Sequence, residues 1–239
     1  MRAAALAFML LLAPPWTVDA QSIAAEARAA FQRGVSALAN SRIDVAREAF
    51  ARAAALAPEW GLAFLEWGAV EASIDPKSAL ALECLHQAAE LAPGNPRVHY
   101  QLGLLYEQQE KYADAVRELK AAIALRPTMV DARFHLARLL ILTGARDEAA
   151  TALEAVIAAD AGHTGALAAL AELYEGAGKI DAAETALLSI AKIQPQIAFN
   201  HVRLGQFYER QGDQRKAQAA FAKAEALDPR PKRNMRKLR

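Results

Sequence analysis

The stretch that decides the fold is PRVHYQLGLLYEQQEKYADAVRELKAAIALRPTM, residues Pro96–Met129. Its apolar residues recur at helical spacing up to about Gln109, and a second such series runs from Tyr112 to Leu125. This pattern predicts two short amphipathic helices joined by a turn. Because neither helix could form a core alone, the segment is expected to pack against further copies of itself.

Copies of this segment follow one another along the chain at a nearly constant interval. The residue that closes each copy is a proline in five cases and Ala161 in the sixth, at spacings of 34 or 35 residues; the prolines are Pro58, Pro93, Pro127, Pro195 and Pro229. Proline lacks an amide hydrogen and disfavours helix in the residue before it, so it ends each repeat. Six copies in register predict an all-α chain of stacked helix pairs.

Residue size also recurs within each copy, since small side chains stand where two helices approach and larger ones fill the space between them. In the quoted segment the small residues are Gly103, Ala115 and Ala122, and the larger ones are Leu102, Tyr106 and Leu119. This order and this period resemble the tetratricopeptide repeat (TPR) family over about residues 22–229. The resemblance implies a right-handed superhelical solenoid of six TPR helix-turn-helix units, approximately residues 27–60, 61–95, 96–129, 130–163, 164–197 and 198–229.

Helix ends are marked by particular residue types. Gly144, Gly178 and Gly212 are predicted to end the first helix of their repeats, where a left-handed residue satisfies free carbonyl groups without a Cβ clash. Asp147 and Asp181 are predicted near the start of the second helix, where a carboxylate suits the positive helix end.

The first twenty residues, MRAAALAFMLLLAPPWTVDA, differ from the repeats. Arg2 precedes an unbroken apolar run, and small residues stand around Ala20. This pattern predicts a signal peptide over residues 1–20, cleaved before Gln21. A membrane anchor is the alternative, although the run is shorter than the roughly 20 residues that span a bilayer. We therefore expect an exported protein, periplasmic or secreted; the short alanine-rich leader and the lack of an Asn-x-Ser/Thr acceptor favour a bacterial periplasm.

The chain ends in a basic tail. Six of its last ten residues, 230–239, are Lys or Arg and none is acidic. The whole chain carries +1 and the leader carries zero, so removing +6 leaves −5 on the repeat body. The tail is either a disordered solubilising end or an electrostatic contact to an anionic envelope surface. It has no aromatic residue for base stacking, which argues against nucleic acid.

No pattern of catalytic or metal-binding residues is present in the sequence. Cys84 is the only cysteine, and the simplest interpretation is a small buried hydrophobe. The five histidines show neither HExxH nor zinc-ligand spacing, and His99 and His201 share one inward-facing repeat position. There is no GxSxG and no phosphate-binding glycine loop. We therefore expect a non-enzymatic protein without a cofactor, a metal or a small-molecule substrate.

The resemblance implies that the first helix of each repeat lines a concave groove for a protein or peptide partner. Carried onto this chain, the groove positions are Arg97, Tyr100, Leu104, Asp131, Phe134, Arg138, Phe199 and Gln206. The same count adds Phe31, Val35, Leu62, Leu65, Glu172, Glu175, Val202 and Arg210. Several of these are equally able to pack against neighbouring helices. The positively charged clamp that some family members use for a terminal carboxylate is not matched, because Glu66 would repel one.

These observations favour a protein-interaction scaffold of the periplasm or cell envelope that holds an apolar partner segment. The resemblance further implies a role in assembling envelope complexes. Two other hypotheses stay open, namely a self-associating structural protein and an envelope protein tethered by its basic tail.

Overall fold

The computed structural model describes residues 20–228, so the basic tail and all of the predicted signal peptide except Ala20 lie outside the described residues. Within this range the chain is all-α, with twelve helices and no strand. The helices are α1 (Ala20–Ala39), α2 (Ile43–Leu56), α3 (Gly61–Ile74), α4 (Ala79–Leu91), α5 (Pro96–Gln108), α6 (Tyr112–Leu125), α7 (Val130–Leu142), α8 (Arg146–Ala159), α9 (Thr164–Gly176), α10 (Ile180–Ile193), α11 (Ala198–Arg210) and α12 (Gln214–Leu227). The predicted all-α helical-repeat fold is confirmed.

The chain forms two compact units, an N-terminal unit up to Asp114 and a C-terminal unit from Ala115. In the N-terminal unit, α1 packs on α2, α2 on α3, α3 on α4, and α4 on α5. In the C-terminal unit the same order of neighbours runs from α7 to α12. Within each of these two runs, a helix therefore packs mainly on those next to it in sequence, as expected for stacked repeats.

The turns between paired helices use the predicted left-handed residues. Gly144, Gly178 and Gly212 have φ angles of 84°, 72° and 79°. Ser41 and Glu110 occupy the equivalent places with φ of 56° and 60° although neither is a glycine. The repeat therefore imposes this conformation even where the side chain disfavours it. The predicted placement of Asp147 and Asp181 in the first turn of a second helix is also confirmed.

Residue size is matched between the two helices of a pair. A Cβ atom added at Gly205 would lie 2.5 Å from the Phe221 ring, and one at Gly34 would lie 2.6 Å from the Phe50 ring. Leucine at the same place in the second helix is found with either residue opposite, since Leu187 is paired with Ala171 and Leu85 with Gly68. Glycine is thus required wherever a phenylalanine fills the pair.

Successive repeats are also joined by hydrogen bonds from tyrosines at one recurring position, to glutamates at two different positions of the preceding second helix. The hydroxyl of Tyr208 donates to Glu184 Oε1 at 2.7 Å, and that of Tyr174 donates to Glu154 Oε1 at 2.7 Å. Lys216 Nζ also donates to Glu184 Oε1, at 2.9 Å. These bonds link the second helix of one repeat to the next helix pair, and they fix the position of α11 relative to α10.

The histidines at the shared repeat position have a structural role. His201 is buried, and its Nε2 donates to the carbonyl oxygen of Pro195 at 3.0 Å. His99 makes the same bond to Pro93 at 3.2 Å, and it is half-buried. The packed or half-buried state predicted for both is confirmed. The bond gives a donor to the carbonyl group of the repeat-ending proline, which lies between two helices and so takes no part in a helical hydrogen-bond series.

Candidate partner-binding face

Three of the predicted groove residues lie on α5 in the N-terminal unit. Arg97, Tyr100 and Leu104 are three and four residues apart, so they share one side of the helix. Arg97 Nη2 contacts Glu66 Oε1 of α3 at 2.8 Å, while Tyr100 and Leu104 are partly buried. The positive charge of Arg97 is therefore neutralised within the fold, which agrees with the absence of a carboxylate clamp.

In the C-terminal unit, α7 carries Asp131, Phe134 and Arg138 at the same spacing. Asp131 and Arg138 are exposed, whereas Phe134 is partly buried. The Phe134 ring lies 4.5 Å from the His163 ring between centroids. A Cβ atom added at Gly165 of α9 would lie 3.1 Å from Phe134 Cζ. Phe134 is thus largely occupied in packing α7 against the start of α9.

Phe199 in the first turn of α11 is the most accessible aromatic residue among the predicted positions. Its side chain is 50% exposed, and the guanidinium carbon of Arg203 lies 5.9 Å from its ring centroid. Arg203 Nη2 also donates to Glu172 Oε1 of α9 at 2.7 Å. Arg203 therefore covers one side of the ring and is itself fixed to α9, which leaves the remaining ring surface open.

The far end of the α9–α11 face is polar and closely paired. Arg210 donates through Nε and Nη2 to the two carboxylate oxygens of Glu175, at 2.7 and 2.9 Å. Gln211 adds a third bond to Glu175 at 3.2 Å. Hydrogen bonding from Arg210 lowers the pKa of Glu175, so this carboxylate stays ionised. Gln206, on the same helix, is partly buried.

The surface between these features has small side chains. Ala168 and Ala169 of α9 are both partly exposed. Ala168 stands at the repeat position of Phe134, and Phe199 stands at that of Gly165. Because a Cβ atom at Gly165 would lie 3.1 Å from Phe134 Cζ, we expect Ala168 and Phe199, at the same two positions one repeat later, to be neighbours. We call Ala168, Ala169 and Phe199, with Arg203 behind the ring, the α9–α11 corner.

Three other predicted groove positions are not accessible. Leu65 is completely buried, and Val202 and Phe31 keep only 6% and 8% of their surface. Their interpretation as groove-lining residues is wrong, because they fill the space between neighbouring helices. Phe31, for example, packs on the Phe50 and Trp60 rings at 5.3 and 4.7 Å. The one-sided pattern of a first helix does not separate residues that face the groove from residues at its buried edge.

The predicted positions include Phe199 but not the other residues of the corner, Ala168, Ala169 and Arg203. They also omit Ile197, the residue before α11, which is 48% exposed. A usable signal was present, since Ala168 replaces the larger residues Phe31, Leu65, Tyr100 and Phe134 at one repeat position. Reading that replacement requires knowing which position of the next first helix lies opposite.

The one cysteine of the chain is buried, and its thiol is not activated. Cys84 is 2% exposed, and burial, aided by Glu83 and Glu71, raises the pKa of its thiol to about 12. Its prediction as a small buried hydrophobe is confirmed. Between residues 20 and 228, no three His, Cys, Asp or Glu side chains converge in a way that could hold a metal ion. In the same range, no helix is both long and apolar enough for a bilayer span.

Comparison with known families gives consistent matches. Models described as tetratricopeptide repeat match residues 77–128, 106–161, 144–203 and 200–231. Together they extend over most of the chain, from residue 77 to residue 231. A search of proteins of curated function gives no match.

Several solved structures are similar to this chain. One is PilW, described as a widely conserved type IV pilus biogenesis factor, with TM-score 0.73 and 18% identity over 89% of this chain and 98% of that one. Another is PilF of Pseudomonas aeruginosa, with TM-score 0.72 and 18% identity over 87% and 95%. A third is YrrB, described as a TPR protein with an unusual peptide-binding site, with TM-score 0.67 and 19% identity over 79% and 96%. At these identities the likeness shows the fold alone.

Proposed function

Since the chain belongs to the tetratricopeptide repeat family, we propose that it is a non-catalytic interaction scaffold of the bacterial periplasm or cell envelope. Its first-helix faces would hold a segment of a partner protein. The observation that carries this proposal is the exposure of the α9–α11 corner, where Phe199 keeps half its surface exposed and Ala168 and Ala169 are partly exposed. Exposed aromatic residues flanked by small side chains are typical of partner sites in soluble proteins.

The charges around this corner support a protein segment over a charged small ligand. Glu172 is paired with Arg203, and Glu175 with Arg210, so neither pair presents excess charge to a ligand. An apolar segment can lie across such a surface without leaving an ion unpaired. Burying the open part of one aromatic ring and its neighbours is compatible with an affinity in the micromolar range, roughly −8 kcal/mol.

The envelope location is proposed from the leader sequence and from the comparisons. Residues 1–20 have the composition of a signal peptide. One of the similar structures, PilW, is described as a type IV pilus biogenesis factor. This description supports a role in assembling an envelope complex. The basic tail would add a peripheral contact to an anionic envelope surface.

Site-specific photo-crosslinking in the native cell would test the partner-binding proposal. A benzophenone amino acid at position 199 should give a discrete adduct with a partner protein, identified by mass spectrometry. The matched control is position 188, because Leu188 is 47% exposed but lies on α10, a second helix. Equal adducts from both positions, or none from position 199, would contradict the proposal. An adduct of the chain with itself would favour self-association instead.

Export is tested separately by the N-terminal sequence of the purified protein. Cleavage before Gln21 should give a mature chain that begins QSIAAE in the periplasmic fraction. A chain that begins at Met1 in the cytoplasmic fraction would rule out the proposed location. The partner-binding proposal would be unaffected, because it depends on the α9–α11 corner alone.

A further inference from the structure

The first repeat has an open groove on its outer side, between α1 and α2. Its volume is about 460 Å³, and the residues that line it include the alanines Ala29, Ala30 and Ala49. We propose that this α1–α2 groove packs against the same groove of a second copy of the chain, which gives a dimer with two-fold symmetry. The inference goes beyond the proposed function, because it concerns a second interaction surface.

In later repeats a neighbouring helix covers the equivalent surface. Ala29 is exposed, whereas the residues at its position in the five later repeats are buried. Those residues are Ala63, Val98, Ala132, Ala166 and Asn200. Arg33 is also exposed, but Leu170, at the same position of α9, is buried in a cluster with Leu153 of α8. The α1–α2 groove is therefore the kind of surface that carries a packed helix elsewhere in the chain.

Four charged side chains lie along the groove with alternating signs. At one end Arg52 of α2 lies 3.4 Å from Glu26 of α1. Arg33 follows Glu26 by two turns and Glu48 precedes Arg52 by one, so both lie further along the groove, toward the turn that joins the two helices. Arg33 and Glu48 are exposed, and neither has an ion-pair partner among residues 20–228.

This arrangement of charges is complementary to itself. When a second copy is turned about a two-fold axis parallel to the helices, α1 of each copy lies over α2 of the other. Arg33 of each copy then faces Glu48 of the other, and Glu26 faces Arg52, so opposite charges meet at all four places. A different protein would need to carry the same alternating pattern, which the chain itself already supplies. Charge complementarity thus points to a second copy.

The size of the face indicates how strong the dimer is. The packing is that of a four-helix bundle with antiparallel neighbours, and the small alanine side chains permit a close approach of the helices. α1 has 20 residues and α2 has 14, so the two helices are about 30 and 21 Å long and the face is roughly 500 Å². Two such faces bury about 1,000 Å², which is at the lower limit for a specific interface. The dimer should therefore be weak and should depend on protein concentration.

Sedimentation equilibrium of the protein purified as the cell produces it tests for this dimer. Between about 1 and 300 micromolar, we expect a monomer–dimer equilibrium with a dissociation constant on the order of 10 micromolar. Raising the salt from about 0.1 to 1 M should weaken the dimer at least about fivefold, because it shortens the screening length from about 10 to 3 Å. A chain that stays monomeric throughout would overturn the inference, whether the groove is open or covered by another part of the chain.

Charge variants test the proposed contact itself. Arg33→Glu and Glu48→Arg each place like charges opposite one another, so each should weaken the dimer at least about tenfold. An equimolar mixture of the two variants should associate as the parent chain does, because the two negative charges of one then face the two positive charges of the other. Arg28→Glu is the matched control, since it makes the same charge change as Arg33→Glu but lies five residues away, about 140° around α1. This control should leave the dimer unchanged.

Thermal unfolding of each variant separates loss of association from loss of fold. A mixture of the two folded variants that does not associate would contradict the proposed contact. The same conclusion would follow from a dimer that Arg28→Glu weakens as much as Arg33→Glu does, or that neither groove variant weakens.

The dimer uses residues of the N-terminal unit, whereas the α9–α11 corner belongs to the C-terminal unit. A dimer carries two corners, so two linked partner segments can be held at once, a consequence that rests on the proposed function. The two proposals fail separately. If position 199 crosslinks to a partner and the chain is a monomer, the scaffold function stands and the dimer is wrong. If the charge variants behave as expected and position 199 gives no partner adduct, the dimer stands and the scaffold function is wrong.

Discussion

Two pairs of successive repeats can be compared at the same two positions of their first helices, and we call each such junction a step. One is the step from the second to the third repeat, and the other is the step from the fifth to the sixth. In the first case the two positions hold Glu66 and Arg97, which form an ion pair at 2.8 Å. In the second they hold Ala169 and Phe199, and the ring stays 50% exposed. The helix pairs around them follow one pattern, so the difference lies in side chains alone. A repeat fold fixes its stacking at a few positions and leaves the facing positions free to vary.

The neighbouring position strengthens this contrast. Leu65, just before Glu66, is completely buried, whereas its counterpart Ala168 is partly exposed. The earlier step therefore has a filled interior closed by paired charges. The later step holds small alanine side chains and an uncovered aromatic ring. Exposed apolar surface of this kind often marks a partner site.

The largest effect on partner binding is expected when the charged pair of the earlier step is introduced at the two positions of the later step. Ala169→Glu with Phe199→Arg would reproduce the Glu66–Arg97 pair in the C-terminal unit. Binding of the partner that crosslinks from position 199 should fall at least about thirtyfold, about 2 kcal/mol, because the ring is lost and charges are introduced. Isothermal calorimetry measures this change. The melting temperature should stay close to that of the parent chain, since both positions are at the surface; a large drop would show that the two steps are not interchangeable.

The next largest effect is a fall in the free energy of unfolding of about 1–2 kcal/mol, expected where α11 packs on α12. Gly205→Ala would place a Cβ atom 2.5 Å from the Phe221 ring, so the ring must move from its place. Phe221→Leu in the same chain should recover most of the loss, because the fifth repeat pairs Ala171 with Leu187. Urea unfolding of both variants measures the two free energies. If Phe221→Leu gave no recovery, the size matching between paired helices would not be the cause.

A smaller effect is expected on the way in which stability depends on acid pH. The hydrogen bonds from Lys216 and Tyr208 lower the pKa of Glu184, so its stabilising contribution is complete above the ordinary glutamate pKa of about 4.3. That contribution is lost as the pH falls through the lowered value. Glu184→Gln should therefore destabilise the chain at neutral pH and make unfolding less dependent on pH below about 4.3. The loss should be smaller than that of Gly205→Ala, since the site is near solvent. Thermal melts between neutral pH and pH 3 compare the slopes, and an unchanged slope would exclude Glu184 as the responsible group.

The smallest effect is expected in the N-terminal unit. Arg97→Ala removes the ion pair with Glu66, but the arginine side chain is 46% exposed. Exposed pairs contribute little, so the free energy of unfolding should change by about 0.5 kcal/mol or less. Added salt should reduce even this difference. Binding of the partner that crosslinks from position 199 should be unaffected; a loss as large as that of Ala169→Glu with Phe199→Arg would mean that the partner site is assigned to the wrong unit.

Much of the fold could be predicted because the same helix and turn signals recur in successive repeats. The turn glycines such as Gly178 and the acidic first turns such as that of Asp147 follow from local physics, and the structure confirms both. The candidate site was harder to predict. Leu65 and Phe199 are both apolar residues of a first helix, yet one is completely buried and the other is half exposed. Their sequence spacing is compatible with either outcome, because burial depends on the neighbour that lies opposite.

The sequence by itself determined that this chain is a stack of TPR helix pairs, since apolar periodicity, turn residues and the 34-residue interval are local properties that recur. Only the tertiary structure decided which first-helix side chains are used in packing and which stay open. That choice depends on pairs far apart in sequence, such as Phe134 with Gly165 or Glu172 with Arg203. The physical reason is that exposure belongs to a pair of facing positions, whereas helix formation belongs to a single segment.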